Sequence, residues 1–176
     1  MRFEEHIKLL DGERVLLRPL SPKDAALYPD VLEEVTAQDL RLRFFAAMRE
    51  LSPATVDLLV HYDPAHALAF IAIEERTGRM LGVVRLHDDA DGECAEFAIL
   101  VRSRLKGRGL GWLLMKHMIS CAKTKGLKAV HGQILAENAT MIAMCGELGF
   151  HVGDDAMERG VKVATLPLDE VPELAD

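Results

Sequence analysis

Cysteine is scarce in this 176-residue chain: Cys94, Cys121 and Cys145 are the only three, and no metal-ligand spacing links them. An odd, scattered set argues against a disulfide framework and against a zinc site, and it fits a reducing cytoplasm. Long apolar runs are lacking as well. No segment reaches the roughly 18 uninterrupted apolar residues of a membrane helix, and Met1-Arg2-Phe3-Glu4-Glu5 has no signal-type apolar core. The expectation is a cytoplasmic location with no membrane partner. Positive charge is in deficit, 21 Lys and Arg against 28 Asp and Glu for a net charge of −7. That balance argues against a nucleic-acid partner and is compatible with a cationic substrate, although acidity also serves solubility. His61, His66, His117 and His131 show no ligand spacing either, so no metal is expected. No internal repeat is present, and 176 residues at 49% hydrophobic content can bury one substantial core without staples.

Against this acidic background four cations, Arg102, Arg104, Lys106 and Arg108, fall within seven residues around the alternating glycines Gly107, Gly109 and Gly111. The apolar run Ala95 to Val101 leads in, and a helical pattern follows at once. Alternating glycines at a helix start let backbone N–H groups crowd around an anion, and the helix dipole adds attraction. The local reversal of sign points to a ligand with phosphates. A Walker A loop needs Lys-Ser or Lys-Thr after its glycines, and none follows here. A dinucleotide fingerprint needs G-x-G-x-x-G opening the first strand–helix turn, whereas this run is G-x-G-x-G and lies past mid-chain.

Strands are expected over Glu13–Pro19, Ala65–Glu74, Met80–His87, Glu93–Val101, Ala129–Leu135, Phe150–Val152 and Gly160–Thr165. Ser21-Pro22 with Asp24, and Ser52-Pro53, are cap-plus-proline signals for helices reaching about Val35 and His61. Leu110–Lys125 carries Leu110, Leu113, Leu114, Met118 and Cys121 on one side and ends at Gly126; a shorter helix opens at Glu137-Asn138 and closes at Leu148-Gly149-Phe150. From Leu166 the prolines and acids read as a frayed tail.

The R-x-x-G-x-G run (Arg104, Gly107, Gly109), followed in order by helix, strand, Asn-helix and Gly-Phe, resembles the acyl-CoA pyrophosphate region of the GNAT family of N-acetyltransferases. The likeness spans about Val15 to Ala164. At a finer level Leu42-Arg43-Phe44-Phe45, Glu50-Leu51-Ser52-Pro53, Ala95-Glu96-Phe97-Ala98 and Glu137-Asn138-Ala139-Thr140-Met141 are similar to the acetyltransferase domain of bacterial protein-lysine acetyltransferases that modify acyl-CoA synthetases. Many of those carry a larger synthetase-like domain ahead of the catalytic one; these 176 residues hold none, which leaves regulation and target choice open. The resemblance implies an α/β (α+β) GNAT-like single domain over residues 1–165, with a mixed central sheet of six to seven strands, about four flanking helices, and an acidic tail at 166–176.

It also implies an acetyl-CoA-dependent N-acetyltransferase passing the acetyl group directly to a primary amine, a protein lysine on the finer likeness. The partners are then acetyl-CoA and that amine, and a homodimer is compatible with the sequence. A small-amine acceptor, or a CoA-binding module without turnover, are the alternatives. By motif position the pantetheine arm pairs with backbone of Ile99, Leu100 and Val101 like an added strand. The pyrophosphate takes N–H groups from Lys106, Gly107, Arg108, Gly109, Leu110 and Gly111, with charge from Arg104 and Arg108. Asn138 is a helix cap, a contact to the CoA arm, or both. Arg41, Arg43, Phe44 and Phe45 match the family's acceptor loop, or pack.

A lysine ammonium must lose its proton before it can attack, at a cost of about 4–5 kcal/mol at pH 7. Glu96 is the candidate base, with Glu93 and Glu137 in reserve. Period-two alternation puts Cys94, Glu96, Ala98 and Leu100 on one face of the strand, so Glu96 is expected among apolar neighbours with its pKa raised. Many relatives carry a tyrosine acid seven residues after the asparagine; here that position is Cys145, either a packing residue or a weak acid near the CoA sulfur. A cysteine–histidine nucleophilic pair is not needed for direct transfer.

Overall fold

The computed structural model describes residues 4–36, 38, 52–102, 105 and 109–169. They form one eight-stranded sheet: β1 (Glu5–Lys8), β2 (Arg14–Pro19), β3 (Ala67–Glu74), β4 (Met80–Asp88), β5 (Cys94–Val101), β6 (Ala129–Leu135), β7 (His151–Asp154) and β8 (Val161–Pro167). Four α-helices occur among the described residues: α1 (Tyr28–Glu33), α2 (Pro53–Val60), α3 (Leu110–Lys125) and α4 (Ala139–Glu147). The strand order is β1-β2-β3-β4-β5-β6-β8-β7. Every neighbouring pair is antiparallel except β5–β6, joined in parallel through the α3 crossover. The mixed α/β class is as expected, with one strand more than the upper expectation.

The sheet separates two cores. On one face α3 and α4 bury Leu110, Leu114, Met118 and Cys145 against Leu81, Leu86, Phe97, Val130 and Ile134. On the other, α1 and α2 bury Tyr28, Val31, Val56 and Val60 against Ala69, Ile71, Val83 and Leu100. The near-continuous apolar runs of β3 and β4 follow from burial on both faces.

The β5–β6 junction decides the rest. Only Cys94, Ala95 and Glu96 pair with it, against Ala129, Val130 and His131; beyond that level the two strands part. At the first position past the junction, a Cβ on Gly132 would lie 2.7 Å from the Phe97 ring. The missing side chain therefore gives the ring its place over the β6 backbone. Phe150, at the end of α4, holds that ring edge-to-face at 5.4 Å and 68°.

Three expectations are corrected. β1 was not foreseen, because Glu5-His6-Ile7-Lys8 carries a single apolar residue; its partner β2 defines it. The helix expected from Pro22 to about Val35 is a 3-10 turn, Pro22–Leu27, followed by the short α1, whose first turn holds Pro29. The tail expected to fray from Leu166 is strand through Pro167. Leu166 and Leu168 are buried in the α3/α4-side core, and the Leu168 N–H donates to the Lys128 carbonyl at 2.8 Å. The boundary expected at 165/166 thus cuts β8.

Candidate active site

Where β5 and β6 part, neither pairs with another strand on that side among the described residues, and each presents an edge toward the other. The Arg102 N–H donates to the Leu81 carbonyl at 3.0 Å, and the ladder to β4 runs in register from Gly82↔Val101 to Asp88↔Ala95. Alternation then turns the peptide groups of Ile99 and Val101 away from β4 into the gap, while those of Leu100 bond to β4. Of the three residues expected to bind an extended arm, two offer backbone to the gap and Leu100 does not. An unpaired edge of this kind is a template for one more extended chain.

The N-terminus of α3 stands beside that edge. Gly109 is its N-cap at φ 88°, in the left-handed region, and its carbonyl accepts the Leu113 N–H at 3.0 Å. Leu110 is fully buried and anchors the turn, leaving the N–H groups of Leu110, Gly111 and Trp112 without helical acceptors. A Cβ on Gly111 would lie 3.6 Å from Met144 Sδ and 4.0 Å from Ile99 Cδ1, so α3, α4 and β5 converge here. Arg104, Lys106, Gly107 and Arg108 lie outside the described residues, as do Arg41, Arg43, Phe44, Phe45 and the tail beyond 169.

Arg102 departs from the expected phosphate cluster. It is completely buried, with Nε donating to the Met80 carbonyl at 2.7 Å and Nη2 to Asp30 Oδ2 at 2.6 Å; Nη1 lies 3.1 Å from Glu34. Arg79 bonds the same Asp30 and Glu34. Hydrogen bonds from Arg79 and Arg102 pull the Asp30 carboxyl down to about 2. The role of Arg102 is to tie the end of β5, where the glycine segment begins, to α1.

Glu96 sits at the last β5–β6 pair, at the mouth of the gap, and it is exposed. The apolar setting expected for it is not present. The face assignment was right, yet α1 and α2 cover Leu100 at the far end of the strand and leave Glu96 open. Its register neighbours are His87 on β4 and His131 on β6. His131 Nε2 lies 2.8 and 3.0 Å from the two carboxylate oxygens of Asp89, in the β4–β5 turn. His87, Asp89 and His131 were not foreseen here; 44 positions separate His87 from His131, and only strand register joins them. Of the reserve bases, Glu93 is exposed and paired with Lys128 at 2.6 Å, and Glu137 is exposed in the turn before α4.

On α4, Asn138 is the N-cap, its Oδ1 accepting the Met141 N–H at 3.2 Å. Cys145 has no exposed surface, and burial pushes its thiol up to about 12. It packs in the α3/α4-side core. Among the described residues no His, Cys, Asp or Glu cluster fits a metal ion, and no helix is long and apolar enough to cross a membrane.

Residues 14–151 match the family model described as an acetyltransferase (GNAT) domain. Acetyltransferase PA5475 of Pseudomonas aeruginosa is 31% identical over 143 residues, covering 80% of this chain and 76% of that protein. Acetyltransferase Pat of Mycolicibacterium smegmatis is 26% identical over 168 residues; 94% of this chain is covered, and the chain spans half the length of that Pat. Among solved structures, the GNAT domain of S. lividans PAT superposes with a TM-score of 0.86 at 26% identity, over 94% of this chain and 97% of that one.

Proposed function

The chain belongs to the GNAT family of acetyltransferases, and on that premise we propose that it transfers the acetyl group of acetyl-CoA to the side-chain amine of a protein lysine, in the cytoplasm. The observation that carries the reading is the gap between β5 and β6, which opens at Glu96 and runs toward the N-terminus of α3. An extended acyl-CoA arm laid on the β5 edge bonds the Ile99 and Val101 backbone. Its pyrophosphate then meets the N–H groups of Leu110 and Gly111, together with the segment from Lys106 to Gly109 and the charges of Arg104 and Arg108. Asn138, the N-cap of α4, is the proposed further contact to the CoA arm.

The neutral amine attacks the thioester carbonyl, the C–N bond forms, and the CoA thiolate leaves. Glu96, at the mouth, accepts the ammonium proton. Exposure does not disqualify it, since acceptor and cofactor exclude water from that mouth when both are bound. The buried Cys145 takes no part, and a thiolate with an ordinary pKa near 8.5 departs without a strong acid. A lysine acceptor is supported by the finer sequence likeness of Ala95-Glu96-Phe97-Ala98 and Glu137-Asn138-Ala139-Thr140-Met141 to protein-lysine acetyltransferases. A reduced interior is supported by three cysteines, none in a disulfide.

A thiol-release assay with acetyl-CoA against acyl-CoA synthetases, lysine peptides and small amines tests the reading. Glu96→Gln should keep acetyl-CoA affinity and lower turnover by about 10²–10⁴ at pH 7, with partial recovery at high pH as the amine deprotonates unaided. Intact turnover in that variant refutes Glu96 as base.

A further inference from the structure

One transverse row of the sheet is unlike the rest. His87 on β4, Glu96 on β5, His131 on β6, Thr165 on β8 and His151 on β7 are successive register partners, and so project from the same face at one level. That level is the last before β5 and β6 part. Within the row His131 is held from outside: Asp89 grips its Nε2 with both carboxylate oxygens, and both side chains keep about a third of their surface, 30% and 36%.

The grip is built. The Asp89 N–H donates to the Cys94 carbonyl at 2.9 Å, and its own carbonyl accepts the Gly92 N–H at 2.9 Å, so the turn fixes the carboxylate before any ligand arrives. A carboxylate only accepts, so Nε2 carries the hydrogen and the lone pair of the neutral imidazole stands on Nδ1. That lone pair has the basicity the chemistry calls for. An imidazole is in general a stronger base than a carboxylate, and so a better resting place for an ammonium proton near neutral pH.

We propose that His131, oriented by Asp89, is the proton relay of this acetyltransferase: Glu96 takes the proton from the attacking amine, and His131 takes it from Glu96 and releases it to water. The inference rests on the transfer reaction proposed above. In the balance, the lysine ammonium gives one proton to Glu96, which passes it through His131 to water; the neutral amine nitrogen then bonds the acetyl carbon, the C–S bond breaks, and the second proton, lost as the amide forms, goes to the departing thiolate. The groups facing His131 are Glu96 and Cys94 on β5, Asp89 in the turn, Gln133 on its own strand and Thr165 on β8, with His87 beyond Glu96 and His151 beyond Thr165. Asp89 and Glu96 are the near carboxylates. His131 acts through Glu96 and is a positioning residue rather than a catalytic one.

Two measurements decide it. The first needs no acceptor: histidine ring resonances of the free protein are followed by NMR against pH in wild type, Glu96→Gln and Asp89→Asn. Loss of either nearby negative charge should lower the His131 midpoint by about 0.5 pH unit or more; an unchanged midpoint in folded Glu96→Gln overturns the pairing. The second is turnover against pH in the thiol-release assay, using acetyl-CoA and a lysine peptide or synthetase that wild type accepts. His131→Gln should lower kcat about tenfold at pH 7, leave KM for acetyl-CoA unchanged, and remove the acid limb near the imidazole range. Asp89→Asn should move that limb to lower pH. A wild-type profile in His131→Gln, with Glu96→Gln inactive, refutes the relay and leaves the transferase reading intact. A wild type that acetylates no acceptor refutes that reading, and the relay with it, whatever the NMR shows.

Discussion

Gly132→Ala tests the geometry that opens the sheet. The added Cβ would lie 2.7, 2.8 and 3.1 Å from three carbons of the Phe97 ring, against the roughly 3.5–4.0 Å that carbon atoms prefer. The ring must therefore retreat by close to 1 Å, and it has little room. Phe97 is buried and meets Phe150 edge-to-face at 5.4 Å, and the surrounding core is packed. Forced repacking of this kind costs about 1–3 kcal/mol, and for a chain of this length each kcal/mol lowers Tm by about 2–4 °C. A fall of roughly 2–12 °C by circular dichroism is expected, together with weaker acetyl-CoA binding by calorimetry, because the ring sits where the strands part. Phe97→Ala is costly by itself, about 3–5 kcal/mol, but in its background the clash is gone and Gly132→Ala should cost almost nothing further. Additive losses in that double-mutant cycle would refute the account of how the gap is held.

Gly109→Val should weaken acetyl-CoA binding strongly and destabilise the start of α3, since φ 88° is closed to a β-branched residue; calorimetry showing unchanged affinity in a folded variant removes the phosphate assignment. Cys145→Tyr, which restores the residue many relatives carry, meets a site with no exposed surface, so it should destabilise by about 1–3 kcal/mol and bring no gain in turnover. Faster thiol release in that variant would show a pocket for an acid that the structure does not leave.

Much of the fold was legible because its signals are local. The apolar stripe and Gly126 stop of α3, the Asn138 cap of α4 and the strand Ala129–Leu135 need only neighbours in sequence. β1 was illegible because Glu5-His6-Ile7-Lys8 carries no period of its own; pairing with β2 creates it. Leu166 and Leu168 were misread because prolines and acids outweighed two alternating leucines that fit the core. At the site the same division holds. Alternation along β5 placed Glu96 on the correct face, but whether that face is covered at residue 96 depends on where α1 and α2 lie. Arg102 sits among loop cations in sequence, and only the packing of α1 against the end of β5 turns it inward. The row of His87, Glu96 and His131 exists only through register.

The central claim is that acetyl-CoA lies as an added strand on the free edge of β5. Amide hydrogen exchange at three consecutive residues tests it most directly. In the free protein the Leu100 N–H, bonded into the ladder with β4, should exchange slowly, and those of Ile99 and Val101, turned into the gap, should exchange faster. Saturating acetyl-CoA should slow Ile99 and Val101 by tenfold or more and leave Leu100 unchanged relative to its β4 neighbours. Uniform slowing of all three, or no change at Ile99 and Val101 while acetyl-CoA is bound, would contradict the placement of the cofactor in this gap.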